Sequence, residues 1–244
     1  MKILGIDIGG SALKGAPVDT ETGQLLGERF RIETPERVSP SQMAEIVRDI
    51  AKHFNWRGRI GVGFPGVVQN NVAKTAANLD KRFIDADLAA LFSKTSGCRT
   101  TAINDADAAG IAEMRFGAGE GRQGVVLLLT LGTGVGSALF YRGILYPNTE
   151  LGHLPMHGRA AEKRVAASVR KAHDLSWHVW GKRLDAYIAV LEMLLWPELI
   201  ILGGGVSAKS EKFMKYLKRR TPIVPAEFEN EAGIVGAALA AARK

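Results

Sequence analysis

The chain has 244 residues, 46% of them hydrophobic and 23% charged, with a formal net charge of +7 and a pI near 9.6. This composition excludes a disordered chain, and no run approaches the ~20 apolar residues that a membrane-spanning helix needs. A single cysteine, Cys98, excludes an internal disulfide and a Cys-rich zinc site. The positive balance points to an anionic partner. No helix-turn-helix, zinc finger or aromatic-rich RNA platform is legible, so nucleic acid is not the expected one. The N-terminus meets the acidic Asp7 before a secretory apolar region forms, so the expected compartment is the cytoplasm, with no membrane partner.

Residues 3–8 read as a buried strand that turns at Gly9 and Gly10 into a partner strand over 13–18, and Gly23 marks a turn before a strand over 25–32. Ser41 is the expected cap of a helix whose Met43, Ile46, Val47, Ile50 and Phe54 supply a core face. A short strand over 60–64 is stopped by Pro65 and Gly66, residues 87–93 read as helix, and 100–103 read as another strand. Asn104 and Asp105 then open a helix that runs to Phe116. The second half repeats the plan, with strands over 125–129, 136–141 and 144–146, helices over 160–172 and 176–195, and a buried strand over 199–202 that delivers Gly203, Gly204 and Gly205. A lysine-rich helix, a strand at 223–224 and an Ala-rich helix over 232–242 complete it. This twofold alternation predicts an α/β protein with a duplicated ribonuclease-H-like, or actin-like, fold and two lobes around a cleft. The expected small N-terminal lobe is 1–108, with the helix 232–244 packing back on it, and the large C-terminal lobe is 109–231.

Two turns are chemically alike. Asp7-Ile-Gly-Gly-Ser11 and Thr130-Leu-Gly-Thr-Gly-Val-Gly-Ser137 each follow an apolar run with glycines and hydroxyls, which lets successive backbone amides close on a phosphate. A pair of tight hairpins is the plain alternative. One such turn in each half suggests a single polyphosphate-bearing ligand held by both lobes. Asp105 leaves a strand into a helix start, where ligand sites of α/β folds gather, and a carboxylate there is able to take the proton of a substrate hydroxyl. Asp105 and Asp107 are equally competent as helix caps. Glu150 and His153, three apart in a polar turn, suit neighbouring hydroxyls on a sugar ring. His153 and His157 invite a zinc reading, but Pro155 breaks the helix that this spacing needs. Gly203, Gly204 and Gly205, with Glu227 further on, resemble a dinucleotide fingerprint but lack the third-glycine spacing and a βαβ unit ahead of them. Lys209, Lys212, Lys215 and Lys218 step by three, so on a helix they share one slowly drifting face beside Arg219 and Arg220. A solvated helix face and an anion-binding stripe both fit that pattern.

Asp7-Ile-Gly-Gly-Ser-Ala-Leu-Lys-Gly15, Thr75-Ala-Ala-Asn78, Asn104-Asp-Ala-Asp-Ala-Ala109, Leu131-Gly-Thr-Gly134, Asn148-Thr-Glu-Leu-Gly-His153 and Gly233-Ile-Val-Gly-Ala-Ala238 together resemble the polyphosphate-dependent glucokinases of the ROK sugar-kinase family. Ala16-Pro-Val-Asp19, Pro65-Gly-Val-Val68 and Pro147-Asn-Thr-Glu150 are that branch's own wording. The resemblance implies magnesium-dependent transfer of the terminal phosphoryl group of inorganic polyphosphate, and of ATP, to the 6-hydroxyl of glucose. Asp105 would be the general base, and Gly66, Asn78, Asn104, Glu150, His153 and Glu162 would hold the sugar. Gly9, Gly10, Ser11, Lys14, Gly132, Thr133 and Gly134 would line the phosphate path, with Asp7 near the magnesium through water. Gly203, Gly204 and Gly205 would correspond to the loop that meets adenosine in ATP-using relatives. The expected polyphosphate path follows that loop along Lys209, Lys212, Lys215 and Lys218, with Lys163, Arg164, Arg170 and Lys171 as the second choice. Gly158-Arg-Ala-Ala-Glu162 stands where many ROK proteins carry a Cys-rich zinc loop, so no zinc is expected. Ala12 replaces a glycine common in the first phosphate turn, and Lys81-Arg82-Phe83 replaces the branch's usual Lys-Ser-Trp. A homodimer is the expected assembly. The alternatives are an ATP-only hexose kinase and a sugar-sensing regulator, whose DNA-binding domain would precede a first strand that here begins at residue 3.

Overall fold

The computed structural model describes residues 1–35, 38–76 and 79–242. The chain forms two compact units, one of Met1–Ala112 with the segment from Glu231 onward and one of Glu113–Asn230.

In the first unit the elements run β1 (Lys2–Ile8), β2 (Ala12–Asp19), β3 (Phe30–Glu33), α1 (Pro40–His53), β4 (Ile60–Phe64), the small pair β5 (Val68–Gln69) and β6 (Val72–Ala73), α2 (Leu88–Ser96), β7 (Thr100–Asn104) and α3 (Asp105–Phe116), whose residues from Glu113 belong to the second unit. The sheet order is β3-β2-β1-β4-β7, antiparallel through β1 and parallel beyond it. Ile3, Leu4, Ile6 and Ile8 are fully buried, because a central strand covered on both faces is apolar throughout rather than alternating. Met43, Val47 and Ile50 of α1 pack with Leu13, Val62, Phe64 and Phe92. The cap of α1 is Ser39, not Ser41: Gln42 N donates to Ser39 Oγ at 3.3 Å and Ser39 N donates to Gln42 Oε1 at 2.9 Å. This reciprocal pair, with Pro40 opening the first turn, leaves Ser41 inside the helix. The strand expected over 25–32 shortens to β3; Leu25 keeps one bridge to Val18, and Leu26 points to solvent.

The second unit carries β8 (Val125–Leu131), β9 (Val135–Tyr141), β10 (Ile144–Tyr146), the small hairpin β11 (Pro155–Met156) and β12 (Arg159–Ala160), α4 (Glu162–Val165), α5 (Ala167–Ala172), α6 (Trp177–Leu195), β13 (Leu199–Gly203) and β14 (Ile223–Pro225). Its sheet order, β10-β9-β8-β13-β14, is again an antiparallel triplet followed by two parallel strands. The repeated plan is that of the duplicated ribonuclease-H-like, actin-like fold. Trp180, Leu184, Tyr187, Ile188 and Leu191 of α6 bury against Leu127, Leu129, Ile200 and Leu202.

Two expectations fail here. The helix over 160–172 breaks at Ala166, whose backbone is extended at φ −59 and ψ 148, because tertiary hydrogen bonds claim both sides of the break. Trp180 Nε1 donates to Val165 O at 3.0 Å, and Ser168 N donates to Gly132 O at 3.1 Å. The lysine-rich segment is not an α-helix but two 3₁₀ pieces, Ser207–Lys212 and Met214–Tyr216, with Lys209 non-helical at φ −122 and ψ 26. Phe213 is drawn inward to full burial against Trp177 and Trp180, and Lys218, beyond both pieces, donates its backbone N–H to Asp185 Oδ1 at 2.6 Å. Lys209, Lys212, Lys215 and Lys218 therefore share no helix face.

The last helix, α7 (Ala232–Ala242), belongs to the first unit. A Cβ at Gly61 would overlap the carbonyl of Ala237, and one at Gly236 would overlap the carbonyl of Ala108. Glycine at these two places lets α7 rest backbone to backbone on β4 and on α3.

Candidate active site

In the first unit the carboxyl ends of β1, β4 and β7 lie side by side, with Asp7 opposite Gly63 and Gly63 opposite Ile103. A Cβ on Gly63 would sit 3.5 Å from Asp105 Cα and 3.8 Å from Asp7 Oδ1, so Gly63 is the gap across which the two acids approach. Asp7 also stands directly opposite Lys14 in the β1–β2 ladder. Burial pushes the Asp7 carboxyl above its ordinary range, and the Lys14 ammonium opposes the rise. Gly233 closes the other side: a Cβ there would stand 2.8 Å from Asp7 Cγ.

The first residue of α3 is Asp105, and the cap before it is Asn104. Asn104 Oδ1 accepts the Asp107 N–H at 2.9 Å, while its Nδ2 donates to Gly66 O at 3.1 Å. Asn104 thus caps the helix from outside, and the half-buried Asp105 accepts the Ala106 N–H on its Oδ1 at 2.8 Å. Thr75 fixes the neighbouring turn, accepting from Val67 N on its Oγ1 at 2.9 Å. Asn78 lies outside the described residues. The turn at Gly9 and Gly10 is a hairpin turn, closed by Gly9 N to Ala12 O at 3.0 Å and braced by Thr34 Oγ1 on Gly9 O at 2.9 Å. The amides of Gly10 and Ser11 make no backbone hydrogen bond among the described residues, and both residues are exposed.

In the second unit the matching hairpin turn is closed by Gly132 N to Gly134 O at 3.0 Å. Around it stand the remaining predicted acids. A Cβ on Gly134 would lie 2.6 Å from Glu162 Oε2, and one on Gly152 would overlap the carbonyl of Val135, so the Glu150–His153 turn and Glu162 crowd the same loop. His153 Nδ1 lies 3.6 Å from Glu150 Oε2. Burial raises the Glu150 carboxyl, His153 opposes that, and Glu162 adds to it. Ser137, 1% exposed, holds the turn in place by donating to Thr149 O at 2.7 Å and accepting from Leu151 N at 3.1 Å. His157 occupies the tip of the β11–β12 hairpin at φ 51, a local geometry unlike the helix that a zinc pair with His153 would need. Among the described residues no group of three His, Cys, Asp or Glu is placed to hold a metal ion.

The sequence profile of the ROK family matches residues 3–167. A polyphosphate glucokinase of Mycobacterium tuberculosis is 46% identical over 237 residues, covering 97% of this chain and 89% of that one. The chain belongs to the ROK family. The inorganic polyphosphate/ATP-glucomannokinase of Arthrobacter sp. strain KM superposes with a TM-score of 0.96 at 46% identity, over 99% of this chain and 98% of that one. A ROK family glucokinase of Streptomyces griseus, solved with glucose and AMPPNP, superposes with a TM-score of 0.84 at 22% identity over 100% of both chains, which shows the shared fold.

This ROK chain gathers Asp7, Gly9, Gly10, Ser11, Lys14, Gly66, Asn104 and Asp105 in its first unit. Gly132, Thr133, Gly134, Glu150, His153, Glu162 and the Gly203–Gly205 loop belong to its second. Sequence reasoning passed over Gly63, and it quoted Ser137 and Gly233 within motifs without giving either a role. Of these only Gly63 carries a local signal, since a glycine inside a strand marks a close approach.

Proposed function

We propose that the chain phosphorylates glucose on its 6-hydroxyl, taking the terminal phosphoryl group from inorganic polyphosphate or from ATP. What carries this reading is the combination of 46% identity over nearly the whole chain to relatives named for that activity with an Asp105 that opens α3 at the end of β7, across Gly63 from Asp7. Asp105 takes the proton of the hydroxyl as its oxygen forms the new bond to the terminal phosphorus. The bond from that phosphorus to the next bridging oxygen breaks, and a donor one phosphate shorter leaves. Glu150, His153 and Glu162 hold sugar hydroxyls, and the amides of Gly10 and Ser11 with Lys14 meet donor oxygens. Asp7 would be the residue that holds a magnesium ion, because Mg²⁺ in phosphoryl-transfer sites takes one or two carboxylates and the donor phosphates rather than a full protein cage. Such an ion would neutralise charge on the donor oxygens. The cytoplasm is the proposed compartment.

Initial rates with glucose and either long-chain polyphosphate or ATP, read as glucose 6-phosphate, test the reading. Product from neither donor would overturn it. Glu150→Gln and His153→Ala are each expected to weaken glucose by roughly ten- to a hundredfold and the donor far less, since a hydrogen bond to a charged partner is worth ~1.5–3 kcal/mol. Unchanged glucose affinity by calorimetry in both variants would remove these residues from the sugar. Because burial raises the Glu150 carboxyl, acid protonates it early and removes an acceptor. Glucose affinity should therefore fall as pH drops through the raised value, and Glu150→Gln should flatten that fall. Protein purified without added metal is expected to hold no stoichiometric zinc by elemental analysis, given the missing Cys-rich loop.

A further inference from the structure

Two basic segments of the second unit leave the same turn and meet again at its far side. On one side α5 is tied to the β8–β9 turn, Ser168 N donating to Gly132 O at 3.1 Å and Ser168 Oγ to Thr133 O at 2.7 Å. This arm carries Arg170 and Lys171, with Arg164 just before it. On the other side Gly204, at φ 82, lies against the Leu131 backbone, and the segment bearing Lys209, Lys212 and Lys215 follows from that contact. The arms rejoin through rings. The Arg170 guanidinium sits 4.0 Å over Trp177, held also by Nη1 to Leu175 O at 3.1 Å. Trp177 stacks on Phe213 with ring centroids 6.1 Å apart, and beyond Phe213 the Lys215 ammonium stands 5.4 Å over Tyr216.

Charge pairing sorts the cations. Lys163 is engaged by Glu162 at 3.1 Å, Arg219 by Asp185 at 2.9 Å and Arg220 by Glu192 at 3.6 Å. No ion pair among the described residues engages Arg164, Arg170, Lys171, Lys209, Lys212 or Lys215, and the exposed acids in these segments are Asp174 and Glu211. Arg170 is fixed in advance by its ring and its hydrogen bond, so engaging an anion costs it little further ordering.

We propose that these six cations form one continuous track for a linear polyphosphate chain, rather than two alternative surfaces. The α5 arm, hydrogen-bonded to the turn, takes the phosphates nearest it, and the Lys209–Lys215 arm takes those further along. The proposal rests on polyphosphate being a donor. A flexible polyanion that binds n cations releases counterions, and its affinity falls with log salt by about 0.7 per contact.

The test measures tripolyphosphate, long-chain polyphosphate and ATP as donors across a salt series. It compares the parent with Arg164→Gln/Lys171→Gln, with Lys209→Gln/Lys212→Gln/Lys215→Gln, and with a control of exposed first-unit cations, Lys52→Gln/Arg57→Gln/Lys94→Gln. The α5-arm variant is expected to weaken tripolyphosphate and the long chain alike. The triple variant should weaken the long chain alone, flattening its salt slope by about 2. ATP, which carries three linked phosphates as tripolyphosphate does, should follow tripolyphosphate in each variant, and the control should match the parent. Single variants Lys171→Gln and Lys212→Gln read the same slopes if a multiple variant does not fold. If either arm can be neutralised without changing long-chain affinity or slope, the single track is wrong although the donor reading stands. If the parent makes glucose 6-phosphate from ATP and none from polyphosphate, the donor reading is wrong and the track goes with it.

Discussion

Asp105→Asn is expected to lower turnover by ~10²–10⁴ while leaving glucose binding within about tenfold, the range for losing a general base from an otherwise intact site. The structure explains why so small a change should leave the fold alone. Asn104, not Asp105, caps α3, through its bond from Asp107 N at 2.9 Å. The 2.8 Å contact from Ala106 N to Asp105 Oδ1 is one that an amide oxygen reproduces. What the amide lacks is a lone pair basic enough to take the proton of the sugar hydroxyl. Asn104→Ala should behave differently, losing about 1 kcal/mol of stability with its cap and loosening the 3.1 Å tie to Gly66 O. Stopped-flow turnover, glucose calorimetry and thermal melts on the two variants separate a chemical role from a structural one. Full turnover in a folded Asp105→Asn protein would sink the assignment.

How far the sequence reveals this architecture depends on whether a signal is local. The runs at 3–8 and 125–129 disclose the central strands because burial on both faces leaves only apolar residues, and the Gly turns follow them directly. The helix cap at Ser39 was legible in principle, since Gln42 three residues on completes the capping box, but Ser41 competes with it by composition. The lysine segment was not legible. A spacing of three describes a helix only if nothing pulls the chain inward, and Phe213 does so by burying against Trp177 and Trp180 from another helix. The roles of Ser137 and Gly233, though both stand in the quoted motifs, were hidden for the same reason: each acts on a residue far along the chain, Ser137 on Thr149 and Gly233 on Asp7. Glu162 entered only through family resemblance, and its place against Gly134 shows why no local pattern could have selected it.

Two glycines three residues apart on α7 are expected to fail in opposite ways when each is replaced by alanine. At Gly236 the new Cβ would occupy the position of the Ala108 carbonyl, so α7 must lift off α3 and the sheet that it covers. Overpacking of this kind costs ~1–3 kcal/mol and more where backbone must move; about 3 kcal/mol corresponds to a fall of roughly 6–12 °C in Tm for a chain of this size. At Gly233 the three atoms nearest the new Cβ all belong to the Asp7 side chain, with Cγ at 2.8 Å and Oδ1 at 2.9 Å. Here a side chain rather than backbone must give way, so the stability loss should be smaller than at Gly236. Asp7 would then leave the place that it shares with Lys14 and with Gly63 beside Asp105. A misplacement of about 1 Å near the reacting groups costs on the order of 10²-fold in rate, and here the loss should appear with both donors and be partly recovered by raising magnesium. Thermal melts alongside donor kinetics check both halves. A Gly233→Ala protein that keeps parental activity would show that Asp7 tolerates displacement and holds neither donor nor metal.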